Sequence, residues 1–458
     1  MTQTLITSSI PARPPRVSAG ARAIVVSIVL AIMTAACGTS GVEPPPQETG
    51  QEAAPSPAPP PEPAESAPPE GERDHEAEAD TAPESGAPAV PSAASGPWRG
   101  AWIHLFDGTL KSRSSIEAAV SELAAAGADT IIAQVARRHD AYYNSSVLPR
   151  TVDPLMPDNL DVLEILTDAA HLRGMRVHAW ISVAPTWHAV YADLDHPEGW
   201  MATTHGLDAP EEDRWVTRTI DGDWDEYLDP GLLEVHDHVA AIATEIVDRY
   251  PVDGIHLDYV RYASERHGYH PGALARFHAE TTRTDVPEPD DLEWVEWRHA
   301  QTHQLIRHVA EALGGASRQV ALSAAVVTWG AGPSAPTADA FSVTRPATEA
   351  LQNWPSWVRD GLVDAVVPMN YFRAHVEEQA AWFDQWLAFG AELATTTDVL
   401  IVPGIGGWLN EPDATLEQVA AAMAAGDGAV VYSFQQPTRD ESRGVWADLA
   451  AGPWAARP

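Results

Sequence analysis

Cysteine and lysine are almost missing from this chain: one of each, Cys37 and Lys111, occurs in 458 residues. A single thiol excludes an internal disulfide and any cluster of thiolate metal ligands. The 28 basic residues stand against 65 acidic ones, for a formal net charge of −37. A surface of that sign repels nucleic acid and anionic lipid, so neither is expected as a partner held by charge. A neutral ligand such as a sugar fits better. Also missing is a Gly-rich phosphate turn after the first apolar strand, which argues against a doubly wound nucleotide-binding sheet.

What is present begins with Arg13, Arg16 and Arg22, followed by an apolar run from Ala23 to Ala36 that closes in small residues before Cys37. Charged start, apolar middle and small-residue end predict a secretory signal, and the run is short for a full membrane span. The ending Thr34-Ala35-Ala36-Cys37 is similar to the lipobox of bacterial lipoproteins, in which the cysteine is lipidated and becomes the mature N-terminus. Thr34 stands where leucine is usual. The expectation is export, with residues 1–36 as the signal and Cys37 lipidated, leaving the protein lipid-anchored at the cell membrane or extracellular. Residues 37–96 turn to Pro, Glu, Ala and Ser with almost no large apolar side chains. Such a composition cannot offset the entropy of ordering, so a disordered, extended tether is expected there.

From residue 97 to 458 short β-rich runs alternate with helical patterns. The predicted strands are Arg99–Leu105, Asp129–Val135, Met175–Ser182, Asp253–Tyr259, Gln319–Val327, Val363–Tyr371, Val399–Ile405 and Ala429–Phe434. Most are continuously apolar, as parallel strands covered on both faces must be. Amphipathic stretches such as Ser115–Ala128 and Asp161–Gly174 lie between them. Eight strand–helix units predict an α/β fold, a (β/α)8 TIM barrel. The two long connections, Ala184–Val235 and Tyr259–Glu293, then become loops on one barrel face; loops of that length are functional or disordered, and function is the expectation here.

In such a barrel the C-terminal strand ends carry the chemistry. Alternation along the fourth strand sets Gly254, His256 and Asp258 inside the barrel and turns Ile255 and Leu257 to the helices. Asp258 reaches the mouth, where a carboxylate costs free energy unless paired, hydrogen-bonded or protonated. Arg261 can pair with it in a purely structural ion pair. The functional alternative is a carboxyl that attacks, protonates or activates water at a sugar carbon, tuned by His256 and Arg261. After the second strand, Gln134–Ser146 carries Arg137, Arg138, Asp140, Tyr142 and Tyr143. These suit a polyhydroxylated ring, or simply a solvated loop with packed tyrosines. Other strand ends add His104, Trp180, Ser182, Asn370, Tyr371, Tyr432, Gln435 and Gln436. Trp187, Trp200, Trp215, Trp224, Trp329 and Trp408 fall in predicted loops, where sugar-stacking platforms sit. A metal hydrolase barrel offers His-x-His on its first strand; Trp102-Ile103-His104 has one histidine, so neither a catalytic metal nor a cofactor is expected.

Taken together, RGAWIHL, QVARRHDAYYNS, DPLMPDNLDVLEILTDAAHLRGMRVHAWI, YLDPGLLEV, VDGIHLDYVRY, DAVVPMNY, VPGIG and GAVVYSF resemble, in order, the landmarks of the glycosyl hydrolase-like 10 family of bacterial (β/α)8 proteins. The similarity runs from about Trp98 to Phe434. It implies glycoside hydrolysis, with some relatives acting on peptidoglycan glycan strands at the cell envelope. Two departures stand out. Ala136-Arg137-Arg138-His139-Asp140 replaces an Arg-x-Arg-Gly-Asp pattern, and Tyr259 follows Asp258 where some relatives have a second acid.

The expected activity is therefore hydrolysis of a polysaccharide, with Asp258 as one of two working carboxyls whose separation sets the stereochemistry. Strand Gln319–Val327 holds no acid, so the partner comes from Asp140, Asp229 or Glu411. Expected substrate contacts are Arg138, Tyr142, Trp180, Asp229, His256, Arg261, Asn370, Tyr371, Tyr432 and Gln435. A non-catalytic carbohydrate-binding barrel, or an envelope scaffold lipoprotein, is the alternative. The first needs no second acid beside Asp258; the second needs only fold and anchor.

Overall fold

The computed structural model describes residues 96–187 and 197–455. The expected signal, Cys37 and all of the expected tether except Gly96 lie outside the described residues.

Among the described residues eleven strands follow in order: β1 Trp98–Ile103, β2 Thr130–Ala136, β3 Arg176–Ser182, β4 Val216–Arg218, β5 Trp224–Leu228, β6 Gly254–Asp258, β7 Ala321–Val327, β8 Ala365–Asn370, β9 Leu400–Ile401, β10 Gly404–Gly406 and β11 Gly428–Tyr432. Strands β1, β2, β3, β6, β7 and β8 pair in parallel, β8 pairs with both β9 and β10, and β10 leads through β11 back to β1. The sheet is thus a closed barrel of eight staves, β9 and β10 sharing the seventh around Val402-Pro403. Proline has no amide hydrogen for a ladder, so the stave breaks there. Each predicted strand overlaps one stave.

Two apolar layers result from the alternation. Trp98, Trp102, Ile132, Trp180, Val367, Val402 and Val430 fill the barrel. Ile131, Ala133, Val177, Ile181, Ile255, Leu257, Val366 and Val431 face outward and join the helical side chains in the larger core. Capping fixes where helices start. Ser112 accepts a hydrogen bond from the Ser115 amide at 3.1 Å, and Asp161 from the Glu164 amide at 3.2 Å, satisfying orphan donors of the first turn.

The described residues of the first long connection carry secondary structure of their own. It holds the short helix Met201–Thr204 and an antiparallel hairpin, β4 with β5, turning at Asp221-Gly222 with Gly222 at φ +96°. The strand β5 also bridges the chain leaving β3: Pro185 opposes Tyr227, and the Leu228 amide donates to the Ala184 carbonyl at 2.8 Å. The hairpin is thereby laid against the C-terminal end of the barrel. The second connection folds into the helix Pro271–Thr281.

Candidate functional site

Asp258 ends β6, the fourth stave, with 7 % of its surface exposed. Its Oδ1 accepts the Tyr259 amide at 2.7 Å. Tyr259 is itself left-handed, at φ +60°, a conformation that costs a bulky residue free energy and clusters at functional sites. Burial pushes the Asp258 carboxyl up from 3.8 to about 6, against the opposing pull of the Arg261 guanidinium, the Tyr259 amide and the Trp180 indole. Burial and the Asp258 charge together raise the phenols of Tyr227, Tyr371 and Tyr432; for Tyr259 the neighbouring Tyr227 phenol adds to both. All four rings are half-buried and surround one carboxyl.

Arg261 is tied beside it. Its guanidinium carbon lies 4.9 Å from the Tyr259 ring centre, 5.1 Å from that of Trp329 and 6.0 Å from that of Tyr227, and Nη1 donates to the Tyr262 carbonyl at 3.2 Å. A cation covered by three aromatic faces is held in place while staying close enough to favour the ionised form of Asp258. On the other side Tyr371, Trp408 and Tyr432 form an aromatic wall, with centroids 4.8, 5.3 and 5.7 Å apart. Trp180, Tyr371, Tyr432, Arg261 and Asp258 are the predicted residues that the fold brings together.

His256 lies one step deeper than the sequence reading put it. It is fully buried, and its ring is locked: the Trp102 indole donates to Nε2 at 3.3 Å and Nδ1 contacts Ser323 Oγ at 2.9 Å. Because Nε2 accepts, the proton sits on Nδ1 and goes to the hydroxyl. The hydroxyl hydrogen is then left for His178 Nδ1 at 2.9 Å or the Ile255 carbonyl at 3.2 Å. Burial holds His256 down at about 3, so this is a neutral support beneath the site, not a surface that sugar can touch.

The other predicted residues are engaged elsewhere. Asp140 and Arg138 form a fully buried ion pair of 2.7 Å; burial raises the acid, but the Arg138 guanidinium, with Arg137 and the Thr151 hydroxyl, keeps it below its ordinary value. Tyr142 is fully buried and bonds Arg137 and Asp153 at 2.8 and 2.9 Å. Asp229, also fully buried, accepts from Thr217 Oγ1 at 2.9 Å and the Gly231 amide at 2.8 Å, closing the turn into helix Leu233–Arg249. Glu411 is 62 % exposed, 3.9 Å from Arg439. Gln435 is pinned to the end of β1, its amide donating to the His104 carbonyl at 2.9 Å. Asn370 follows the outward phase of Val366 and Pro368 and lines a small cavity with Trp386 and Leu387; the barrel-mouth residue of this pair is Tyr371. Of the six loop tryptophans, Trp329 and Trp408 flank the Asp258 site. Trp187 and Trp200 cover Arg138, Trp215 stacks on His205 at 3.6 Å, and Trp224 covers Arg214 and Arg218.

Tyr227 was absent from the sequence-based site. Its signal is the Asp221-Gly222 turn flanked by short extended segments, a hairpin pattern concealed by the acidic composition of the stretch.

Comparison with known proteins bears on the family and the fold. The family model described as Glycosyl hydrolase-like 10 matches residues 97–408. The glycosyl hydrolase DigH of Escherichia coli K12 is 24 % identical over 350 residues, covering 69 % of this chain and 75 % of that protein. The glycosyl hydrolase YngK of Bacillus subtilis is 22 % identical over 261 residues, 54 % of this chain and 46 % of its own length. Among solved structures, the glycoside hydrolase domain of PgaB from Bordetella bronchiseptica superposes with a TM-score of 0.56 at 13 % identity, over 77 % of this chain and 98 % of that one. The catalytic domain of a Paenibacillus polymyxa beta-amylase gives 0.55 at 11 % identity, over 78 % and 98 %. At those identities the likeness shows a shared barrel. With its model matched from the first stave to Trp408, the chain belongs to the glycosyl hydrolase-like 10 family.

Proposed function

We propose that this protein hydrolyses O-glycosidic bonds of a cell-envelope polysaccharide, with peptidoglycan glycan the first substrate to test, and that Asp258 is the proton-transferring carboxyl. One observation carries the reading: a nearly buried acid at the C-terminal end of the fourth stave, ringed by Tyr227, Tyr259, Tyr371 and Tyr432 beside the Trp180 indole. A carboxyl held near 6 is protonated in a useful fraction close to neutrality, so it can give a proton to a departing sugar oxygen and take one back. Phenol hydroxyls and indole faces around it supply the hydrogen bonds and stacking that a sugar ring needs. Family membership and the shared barrel support hydrolysis; the apolar run ending at Cys37 supports a lipid anchor, with residues 37–96 as the tether.

The test is release of reducing ends from purified peptidoglycan and from a panel of α- and β-glucans, with wild type beside Asp258→Asn. Release by the wild type that falls at least 100-fold in the variant is expected; equal release by both sinks the role of Asp258. No release by either, with glycan still bound, favours a carbohydrate-binding barrel. For the anchor, a labelled fatty acid should be incorporated by the wild type and not by Cys37→Ala.

A further inference from the structure

Gln435 and His104 meet at the rim of the barrel, where β11 and β1 are neighbours. The His104 amide donates to Gln435 Oε1 at 3.4 Å, and the Gln435 side-chain amide donates to the His104 carbonyl at 2.9 Å. Two bonds to one side chain hold the backbone of a residue that has already left β1. The imidazole is fixed as well. Its Nδ1 accepts the Phe106 amide at 3.2 Å, and the ring centre lies 5.0 Å from that of Phe106 and 6.0 Å from that of Tyr432.

The alternation of β1 decides which way this ring faces. Trp102 fills the barrel, whereas Ile103 and Leu105 belong to the outer core, so His104 takes the barrel side one layer above Trp102. Trp102 in turn donates to His256 at 3.3 Å, and Asp258 stands one layer above His256 on β6. His104 and Asp258 thus rise to the mouth above two side chains that are bonded to each other. Tyr432 ties His104 to the aromatic wall, for it also meets Trp180 at 6.4 Å, Tyr371 at 5.7 Å and Trp408 at 5.3 Å.

Because Nδ1 accepts, a neutral ring carries its proton on Nε2. Burial keeps the ring neutral, pulling it down to about 4; the Arg137 and Lys111 cations act with burial, the Asp107 carboxylate and the residue's own carbonyl against it. Among the described residues no hydrogen bond reaches Nε2, and it is not one of the enclosed polar atoms. The half-buried ring therefore presents one N–H to the mouth, aimed in advance by Gln435 and Phe106.

We propose that His104 binds substrate: its Nε2–H donates to an uncharged oxygen of the glycan, a hydroxyl or an acetamido carbonyl, and so sets how the sugar chain lies across Asp258. The assignment rests on the proposed glycan-cleaving function. The Asp107 carboxylate, whose charge reaches the ring, disfavours an anionic partner there. Gln435 touches the backbone of His104 and acts as its positioning residue.

The experiment uses the full chain and the glycan of the panel that the wild type cleaves. His104→Phe keeps a ring against Phe106 and Tyr432 but has no N–H; His104→Gln keeps an N–H at a similar reach. His104→Phe should raise KM about three- to tenfold with kcat within about twofold, the signature of one neutral hydrogen bond made in ground and transition states alike. His104→Gln should restore both constants. In an Asp258→Asn background, which binds glycan without cleaving it, calorimetry should show the same weakening for His104→Phe. Long-range 15N–1H spectra, with the His104 signals identified by their loss in His104→Gln, should show a proton on Nε2 at pH 7. A purely structural His104 would lower Tm and leave KM unmoved. Unchanged KM in His104→Phe, equal weakening in His104→Gln, or a proton on Nδ1 each overturns the proposal. Should His104→Phe fail to fold, Gln435→Ala takes its place: it loosens the ring without removing it, so a raised KM is expected and an unchanged one overturns the proposal. Any of these failures with glycan release intact leaves the proposed function standing. A wild type that neither releases nor binds any glycan overturns both.

Discussion

The guanidinium of Arg138 and the carboxylate of Asp140 meet at 2.7 Å with neither side chain exposed to solvent. Trp187 and Trp200 cover the guanidinium, with ring centres at 4.9 and 5.0 Å, and Asp140 Oδ1 also accepts the Arg138 amide at 3.1 Å. Removing one partner leaves an uncompensated buried charge, which costs about 3–5 kcal/mol. Asp140→Ala should therefore lower stability by that amount in guanidinium chloride unfolding, while the folded fraction keeps kcat within a few-fold of wild type. Wild-type stability combined with lost activity would return Asp140 to the chemistry.

Asp258 should behave in the opposite sense. Its folded-state pKa is raised from 3.8 to about 6, so between those values the folded protein holds a proton that the unfolded chain has released. Its contribution is most favourable below about pH 4, weakens as pH rises to 6 and is constant above. At neutral pH the buried charge costs roughly 3 kcal/mol, two pKa units at about 1.4 kcal/mol each. Asp258→Asn removes that charge. The variant should be more stable than wild type by up to about that amount at pH 7–8, with the advantage vanishing near pH 4, while hydrolysis is lost. An Asn variant that is less stable at pH 7.5 would show that the carboxylate is not strained.

The buried histidines set a second and larger pH dependence. Burial lowers His104, His236 and His238 to about 4 and His139 and His256 to about 3, from an ordinary 6.5. Here the unfolded chain takes up protons that the folded protein refuses. Stability is fully present above pH 6.5 and is lost as pH falls toward 4. Five such groups act against the single Asp258, so the unfolding midpoint should drop steadily from pH 7 to 4.5. A flat or rising midpoint would mean that these rings are protonated in the fold.

The barrel was legible because its staves are buried on both faces, which leaves apolar runs such as Thr130–Ala136 that no other short element produces. The position of Asp258 followed from alternation alone. Asp140 was misleading: an Arg-Arg-His-Asp stretch has the same composition whether it faces a sugar or, as here, is closed over by two tryptophans from the next connection. Asn370 and Tyr371 differ by one residue and hence by one face, and the alternation that separates them runs unbroken through β8. Tyr227 was hidden because β5 has only Leu228 fully buried, so its pattern reads as an acidic loop.

Gly254 opens β6 directly opposite His178 on β3, and both point into the barrel. A Cβ on Gly254 would stand 2.4 Å from Cε1 and Nδ1 of the His178 ring. The ring cannot withdraw easily, since it packs edge-on against Trp98 at 4.7 Å and bonds Ser323 at 2.9 Å. Forcing a methyl into such a core costs about 1–3 kcal/mol, and the displaced ring would drag Ser323 and His256 beneath Asp258. Gly254→Ala is thus expected to lower both Tm and kcat. Coupling identifies the cause: in a His178→Ala background the same substitution should cost much less, because contacting residues are non-additive. An equal cost in both backgrounds would place the strain somewhere other than this ring.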